Sequence, residues 1–199
     1  MLETIGLPGA SLRFDPHYLS PAEAKASFAA LRGEIPWENH RIRLFGREVA
    51  SPRLSCWIGD EGTGYRYSGS DFEPRDWTPA SSRLREELRD SLALDFNSVL
   101  ANLYRDGRDG MGWHSDDEPE LGDRPVIASL SLGATRRFCL RRRDGTGDVL
   151  KLELPPGSLL LMQGDTQENY RHALPKTALA VGERINLTFR RIRRRNGPR

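Results

Sequence analysis

The sequence predicts a mainly β chain with flanking helices, arranged as an antiparallel sandwich or a double-sheet jelly roll. Three observations predict it. Six strand-length runs crowd the half after Asp95, at 96–104, 126–132, 137–140, 149–154, 158–162 and 185–192. Tight turn signals lie between them, among them Asp106-Gly107, Asp109-Gly110, Asp144-Gly145, Pro155-Pro156-Gly157 and Val181-Gly182. Only two segments carry a helical pattern.

The first helix is expected over 21–32, where Ser20 can cap, Pro21 occupies the first helical position and Gly33 can end it. The second is expected over 81–94, with Leu84, Leu88 and Leu92 at four-residue spacing and charges between them. Its charged face needs no functional reading. From 35 to 76 the chain turns to short strands and turns rich in Gly, Pro, aromatics and arginines, without a long apolar stripe. This part reads as a lobe laid on a core rather than a piece of one. No internal repeat stands out.

At 199 residues the chain fits one domain with a sizeable core. With 37% hydrophobic and 29% charged residues it reads as soluble and globular, and no apolar run nears the ~20 residues of a membrane span. The first residues lack a basic start followed by an apolar stretch, so no secretion signal and a cytoplasmic location are expected. Cys56 and Cys139, only two and far apart, are then reduced thiols. The net charge is just +2, but arginines concentrate at 136, 137, 141–143 and in the tail 190–195. Such clusters can neutralise phosphates. The last few residues read more simply as a solvated tail.

The chemistry centres on residues 102–118, NLYRDGRDGMGWHSDDE. His114 and Asp116 stand two apart, and in an extended segment such residues point the same way, toward a single metal ion. The third ligand is expected from His172, which follows the apolar strand 157–162 by a short polar loop. His17 and His40 have no partner at ligand spacing. Two imidazoles and a carboxylate form the facial triad of non-haem Fe(II), but zinc hydrolases use the same set. The strand after His172 decides between them. In Arg184-Ile185-Asn186-Leu187-Thr188-Phe189-Arg190, polar residues alternate strictly with apolar ones. An ordinary solvent-facing strand can look like this. Inside a small barrel, however, Arg184 and Arg190 need anionic partners, and a dicarboxylate such as 2-oxoglutarate supplies one carboxylate for an arginine fork and one for the metal.

HSD…H followed by RINLTFR twelve residues on, with NLY twelve before the first histidine, resembles the AlkB-type Fe(II)/2-oxoglutarate dioxygenases, closest to the animal nucleic-acid-repair members. The similarity also runs through RLFGREVASPR, YRYSG, PVIASLSLGATRRFCLR and GSLLLMQGDTQENYRHALP. The resemblance implies a double-stranded β-helix core over 95–192 and a nucleotide-recognition lobe over 35–78, within a single domain spanning 1–199. It implies that His114, Asp116 and His172 hold Fe(II), and that Arg184 clamps the distal carboxylate of 2-oxoglutarate with Tyr104 and Asn102 assisting. Asn186, Thr188 and Arg190 line the same pocket, and O2 is the co-substrate. Glu118 would meet an extruded base, since a carboxylate accepts from the exocyclic amine of adenine or cytosine. Tyr65 and Tyr67 would stack on that base, and Phe45 resembles the wedge that fills the gap it leaves. Arg53, Arg66 and the arginines of 136–143 become phosphate contacts.

Two departures stand out. Ser115 is small where a longer polar residue is common in relatives, which puts contacts beside the substrate in question; and the loop 164–170 is polar near its start, not aromatic. The implied activity is oxidative demethylation of 1-methyladenine or 3-methylcytosine in alkylated DNA by a monomeric enzyme. Rival readings are the same chemistry on RNA, protein or a small molecule, and a non-catalytic nucleic-acid binder. A zinc hydrolase would need no 2-oxoglutarate and no second arginine on the strand.

Overall fold

The computed structural model describes residues 1–44, 47–67 and 70–193, with the side chains of 41–49 and 65–72 left aside. Among the described residues, fifteen strands and three α-helices follow in the order β1 (Glu3–Ile5), β2 (Ser11–Asp15), α1 (Pro21–Glu34), β3 (Arg41–Leu44), β4 (Arg47–Ala50), β5 (Leu54–Gly59), β6 (Tyr65–Tyr67), β7 (Ser70–Phe72), α2 (Pro79–Leu92), β8 (Ser98–Tyr104), β9 (Met111–His114), β10 (Ile127–Gly133), β11 (Arg136–Arg142), β12 (Leu150–Leu154), β13 (Leu159–Gln163), α3 (Thr166–Asn169), β14 (Tyr170–Leu174) and β15 (Arg184–Arg190). The major sheet is antiparallel with order β1-β2-β13-β10-β15-β8-β5, and the minor sheet has order β12-β11-β14-β9. The double-sheet jelly roll expected from the turn spacing is therefore the fold.

The alternating pattern of the long strands divides the molecule into two apolar layers. Val99, Ala101 and Leu103 of β8, Leu130 and Leu132 of β10, and Ile185, Leu187 and Phe189 of β15 face the helices. There they meet Ala24 and Leu31 of α1 and Leu84 and Leu88 of α2. Between the sheets lies a second layer with Leu12, Ile127, Phe138, Leu140, Leu160 and Met162. Truncating a side chain such as Leu88, fully buried, costs about 2–5 kcal/mol in cores of this kind.

Both helices begin with a reciprocal cap. Ser20 Oγ accepts from the Glu23 N–H, and Glu23 returns a carboxylate to the Ser20 N–H. Thr78 and Ser81 do the same for α2, which starts two residues earlier than the leucine spacing predicts. Gly33 does not end α1. The helix runs on to Glu34 and stops at Ile35, extended at φ −80° and ψ 129°, because the following Pro36 disfavours helical geometry in the residue before it.

Among the described residues, the segment 35–78 holds two hairpins, β3-β4 and β6-β7, each a two-stranded sheet of its own. It is not wholly laid on the core, as the lack of an apolar stripe suggested. β5 lies between the hairpins, joins the major sheet beside β8, and carries Cys56, Trp57 and Ile58 into the interior. Six residues are too few to show a stripe of their own.

Candidate active site

One cavity between the sheets gathers most of the expected residues. It is lined by Asn102, Tyr104, His114, Asp116, His172, Arg184, Asn186, Thr188 and Arg190, with Leu100, Met111, Phe138, Met162 and Leu174 as apolar walls.

The minor sheet brings the histidines together. β9 and β14 are adjacent, and His114 sits directly opposite His172 in their register. Gly110 makes the approach possible, since a Cβ there would lie 2.7 Å from the Leu174 carbonyl oxygen. The imidazole centroids are 4.2 Å apart, and Phe138 backs His172 at 5.3 Å. Asp116 follows β9, and one ligand atom from each of His114, Asp116 and His172 lies within 4.8 Å of the others. Asp116 Oδ1 accepts from Arg190 Nη2 at 2.6 Å. Its other oxygen, Oδ2, is buried without a hydrogen-bond partner among the described residues, 3.8 Å from His172 Nε2. A carbonyl only accepts, so the 2.8 Å contact to Gly112 O makes His114 Nδ1 the donor and leaves Nε2 with its lone pair.

Protonation follows from burial and charge. Burial, reinforced by His114, pushes His172 down to about 3, and burial also lowers His114. Burial alone would raise the Asp116 carboxyl, but Arg190, His172 and His114 outweigh it and hold the group at about 2. At neutral pH the cluster is two neutral imidazoles and one carboxylate, the forms that bind a metal. An orphaned carboxylate oxygen beside two lone-pair nitrogens fits a divalent cation.

The major sheet builds the opposite wall from the polar faces of three adjacent strands. The registers set Arg184 against Tyr104 and Asn186 against Asn102 on β8, and Asn186 against Ser131 and Thr188 against Ser129 on β10. Arg184 is 2% exposed, donates from Nη2 to Ser131 Oγ at 2.9 Å, and lies 5.3 Å from the Tyr104 ring centroid. Its Nε has no hydrogen-bond partner and the side chain no salt bridge among the described residues. Burial lowers its pKa to about 10, so it stays cationic at neutral pH. A buried guanidinium without a carboxylate calls for an anionic ligand. Asn186 is committed inside the protein, donating to Ser129 Oγ at 2.9 Å and Leu130 O at 3.0 Å while accepting from Thr188 at 3.1 Å. Every residue of β15 is buried, so it is not a solvent-facing strand.

Other expected residues fall elsewhere. Glu118 is partly buried, two residues past Asp116, and does not line the cavity. Tyr65 and Tyr67 lie on β6, and Phe45 lies outside the described residues. Arg53 is no phosphate contact: it is 5% exposed and donates to Asn102 Oδ1 at 2.7 Å. Arg136 is likewise buried and donates to the carbonyls of Asp106, Asp109 and Pro175. Arg137, Arg142 and Arg143 are paired with Glu153, Asp144 and Asp117, while Arg141 is exposed and stacks over Trp113 at 4.2 Å. Ser115 points into the protein. Its buried hydroxyl donates to the Tyr170 carbonyl at 2.8 Å. Ser129, Ser131 and Gln167 went unremarked in the sequence, since only the strand pairing and the loop contacts reveal what they touch.

Known proteins resemble this chain in sequence and in fold. Residues 11–190 match the family model of the 2OG-Fe(II) oxygenase superfamily. Over 186 residues the chain is 38% identical to the alpha-ketoglutarate-dependent dioxygenase alkB homolog 3 of Bos taurus, covering 89% of this chain and 64% of that protein. Over 181 residues it is 38% identical to the human DNA oxidative demethylase ALKBH2, covering 86% and 69%. The fold matches the solved structure of OsALKBH1 at TM-score 0.66 and 15% identity, over 96% of this chain and 100% of that one. A Trichoplax adhaerens prolyl hydroxylase in complex with a hypoxia inducible factor peptide matches at TM-score 0.62, 13% identity and coverages of 91% and 83%. The chain thus spans just under two thirds of the alkB homolog 3 proteins it matches. With the triad, the buried arginine and a family match over most of its length, the chain belongs to the 2OG-Fe(II) oxygenase superfamily, among its AlkB-type members.

Proposed function

We propose that this protein is an Fe(II)- and 2-oxoglutarate-dependent oxidative demethylase of alkylated bases in nucleic acid, acting on lesions such as 1-methyladenine and 3-methylcytosine in DNA. The observation that carries it is one cavity with an orphaned Asp116 oxygen beside two neutral histidines on one wall and the salt-bridge-free Arg184 on the other. The names of the relatives, DNA oxidative demethylase among them, support the substrate class.

In this reading His114, Asp116 and His172 hold the iron. When bound, iron with 2-oxoglutarate and O2 supplies an oxidant that hydroxylates an N-methyl group, which then leaves as formaldehyde. Arg184 takes the distal carboxylate in charge-assisted hydrogen bonds, with Ser131 and Tyr104 orienting it and Asn102 held ready by Arg53. Asn186 and Thr188 brace that wall. Arg190 holds Asp116 so that only Oδ2 turns to the metal. Leu100, Met111, Phe138, Met162 and Leu174 keep the cavity poor in water. Glu118 receives the exocyclic amine of the extruded base, Tyr65 and Tyr67 stack on it, and Phe45 fills the vacated stack, with the hairpins of 35–78 as the recognition lobe and 95–192 as the catalytic core. The enzyme works as a monomer in the cytoplasm; among the described residues no helix is long and apolar enough to cross a membrane.

Formaldehyde release from methylated single-stranded, duplex and RNA oligonucleotides, with and without 2-oxoglutarate, tests the reading. Release should require both Fe(II) and 2-oxoglutarate and vanish in His114→Ala. Unchanged release in that variant would sink the metal assignment, and preference for RNA would move the substrate.

A further inference from the structure

The three residues that follow β9, Ser115, Asp116 and Asp117, are fastened to one short segment ahead of His172, the last of them through Arg143. Ser115 donates to the Tyr170 carbonyl. The Asp116 N–H donates to Gln167 Oε1 at 2.9 Å. Arg143 donates from Nη2 to Asp117 Oδ2 at 2.8 Å and from Nη1 to the Gln167 carbonyl at 3.3 Å. Gln167 sits at the centre of this bracket. It is 2% exposed, the second residue of α3, and its amide nitrogen donates to Met162 Sδ at 3.6 Å. A sulfur acceptor at one end and an N–H donor at the other fix which way the amide points.

The Asp116 N–H needs that oxygen. β9 ends at His114, so Asp116, 3% exposed, lies beyond the sheet ladder. A buried donor left unmatched is costly enough to let the turn re-set. Any rotation of this peptide swings the carboxylate, whose Oδ1 is taken by Arg190 and whose Oδ2 must meet the imidazoles. We propose that Gln167 is a positioning residue of the metal centre: its side-chain oxygen holds the Asp116 backbone so that Oδ2 stays aimed at the ion. The proposal rests on the iron reading above.

Mn(II) titration of the full chain, followed by calorimetry or by the free-ion electron paramagnetic resonance signal, tests it without turnover. Two substitutions of similar volume separate the roles. Gln167→Met removes the acceptor, and Gln167→Glu keeps it while removing the donor to Met162. Gln167→Met should weaken Mn(II) binding by about 10- to 100-fold, the size seen for outer-sphere partners, while Gln167→Glu binds close to wild type. Amide exchange at Asp116 should be slow in wild type and in Gln167→Glu, and fast in Gln167→Met. Melting of the metal-free proteins reports folding separately. If Gln167→Met is folded and binds Mn(II) like wild type, or if Gln167→Glu loses affinity and amide protection as well, the proposal falls. Should Gln167→Met not fold, the smaller Gln167→Ala, which also removes the acceptor, takes its place with the same expected loss and the same overturning result. A wild-type chain that binds no Mn(II) overturns instead the iron reading.

Discussion

Across the cavity, β8, β10 and β15 of the major sheet face β9 and β14 of the minor sheet. The first group are seven-residue strands in unbroken register, and their polar residues reach the cavity by simple alternation. β9 has four residues, its pairing with β14 shifts between His172 and Leu174, and Asp116 is reached only after the strand has ended. Regular alternation suffices for a cosubstrate wall, because an anion can be gripped by groups spread along strands. A metal needs donors converging within a few ångströms, and here a direct cross-strand pair and a turn held by Gln167, Arg143 and Arg190 supply it. One wall is built by pattern, the other by contact.

Four experiments stress that contrast. Asp116→Ala should have the largest effect: Mn(II) binding and formaldehyde release both drop below detection, while 2-oxoglutarate analogues lose only the part of their affinity that depends on metal. Next comes Arg190→Met, which strands the Asp116 charge. Breaking one partner of a buried pair costs about 3–5 kcal/mol, read as chemical-denaturation stability of the metal-free protein. Because a cation re-pairs the carboxylate, added Mn(II) should recover more stability in this variant than in wild type; equal gains would show that the two do not share Asp116. Arg184→Lys tests the other wall. Loss of a planar donor pair, at about 1.5–3 kcal/mol per charged hydrogen bond, should raise the KM for 2-oxoglutarate by roughly 10- to 100-fold with Mn(II) affinity unchanged. Smallest is Ser131→Ala, which removes one neutral support of Arg184 and should weaken 2-oxoglutarate about fivefold, for about 1 kcal/mol. If either of the last two variants shifts Mn(II) affinity as much as cosubstrate affinity, the walls are not independent.

Legibility in the sequence tracks the same division. The strand 184–190 announced its polar face, and Asn102 with Tyr104 fell on the matching face of the neighbouring strand because both are regular. β9 and β14 were not expected as strands at all. Their sequences, MGWH and YRHAL, are short, interrupted by glycine or arginine, and lack alternation, since His114 and His172 are spent on the site and not on a core. The arginines of 136–143 were legible as charge but not as partners. Glu153, Asp144 and Asp117 neutralise three of them through the fold.

By itself the sequence determined the double-sheet β class, the start of α1 and the residues that the cavity gathers from 102–116, His172 and 184–190, because alternation, capping and motif spacing are local or count along the chain. The tertiary structure decided what spacing cannot carry. It set His114 opposite His172 across fifty-eight residues, left Oδ2 of Asp116 and Nε of Arg184 without a hydrogen-bond partner among the described residues, and brought Gly110 against the strand of His172. Register between strands distant in sequence depends on which apolar faces can be buried together, and that is a property of the packed whole.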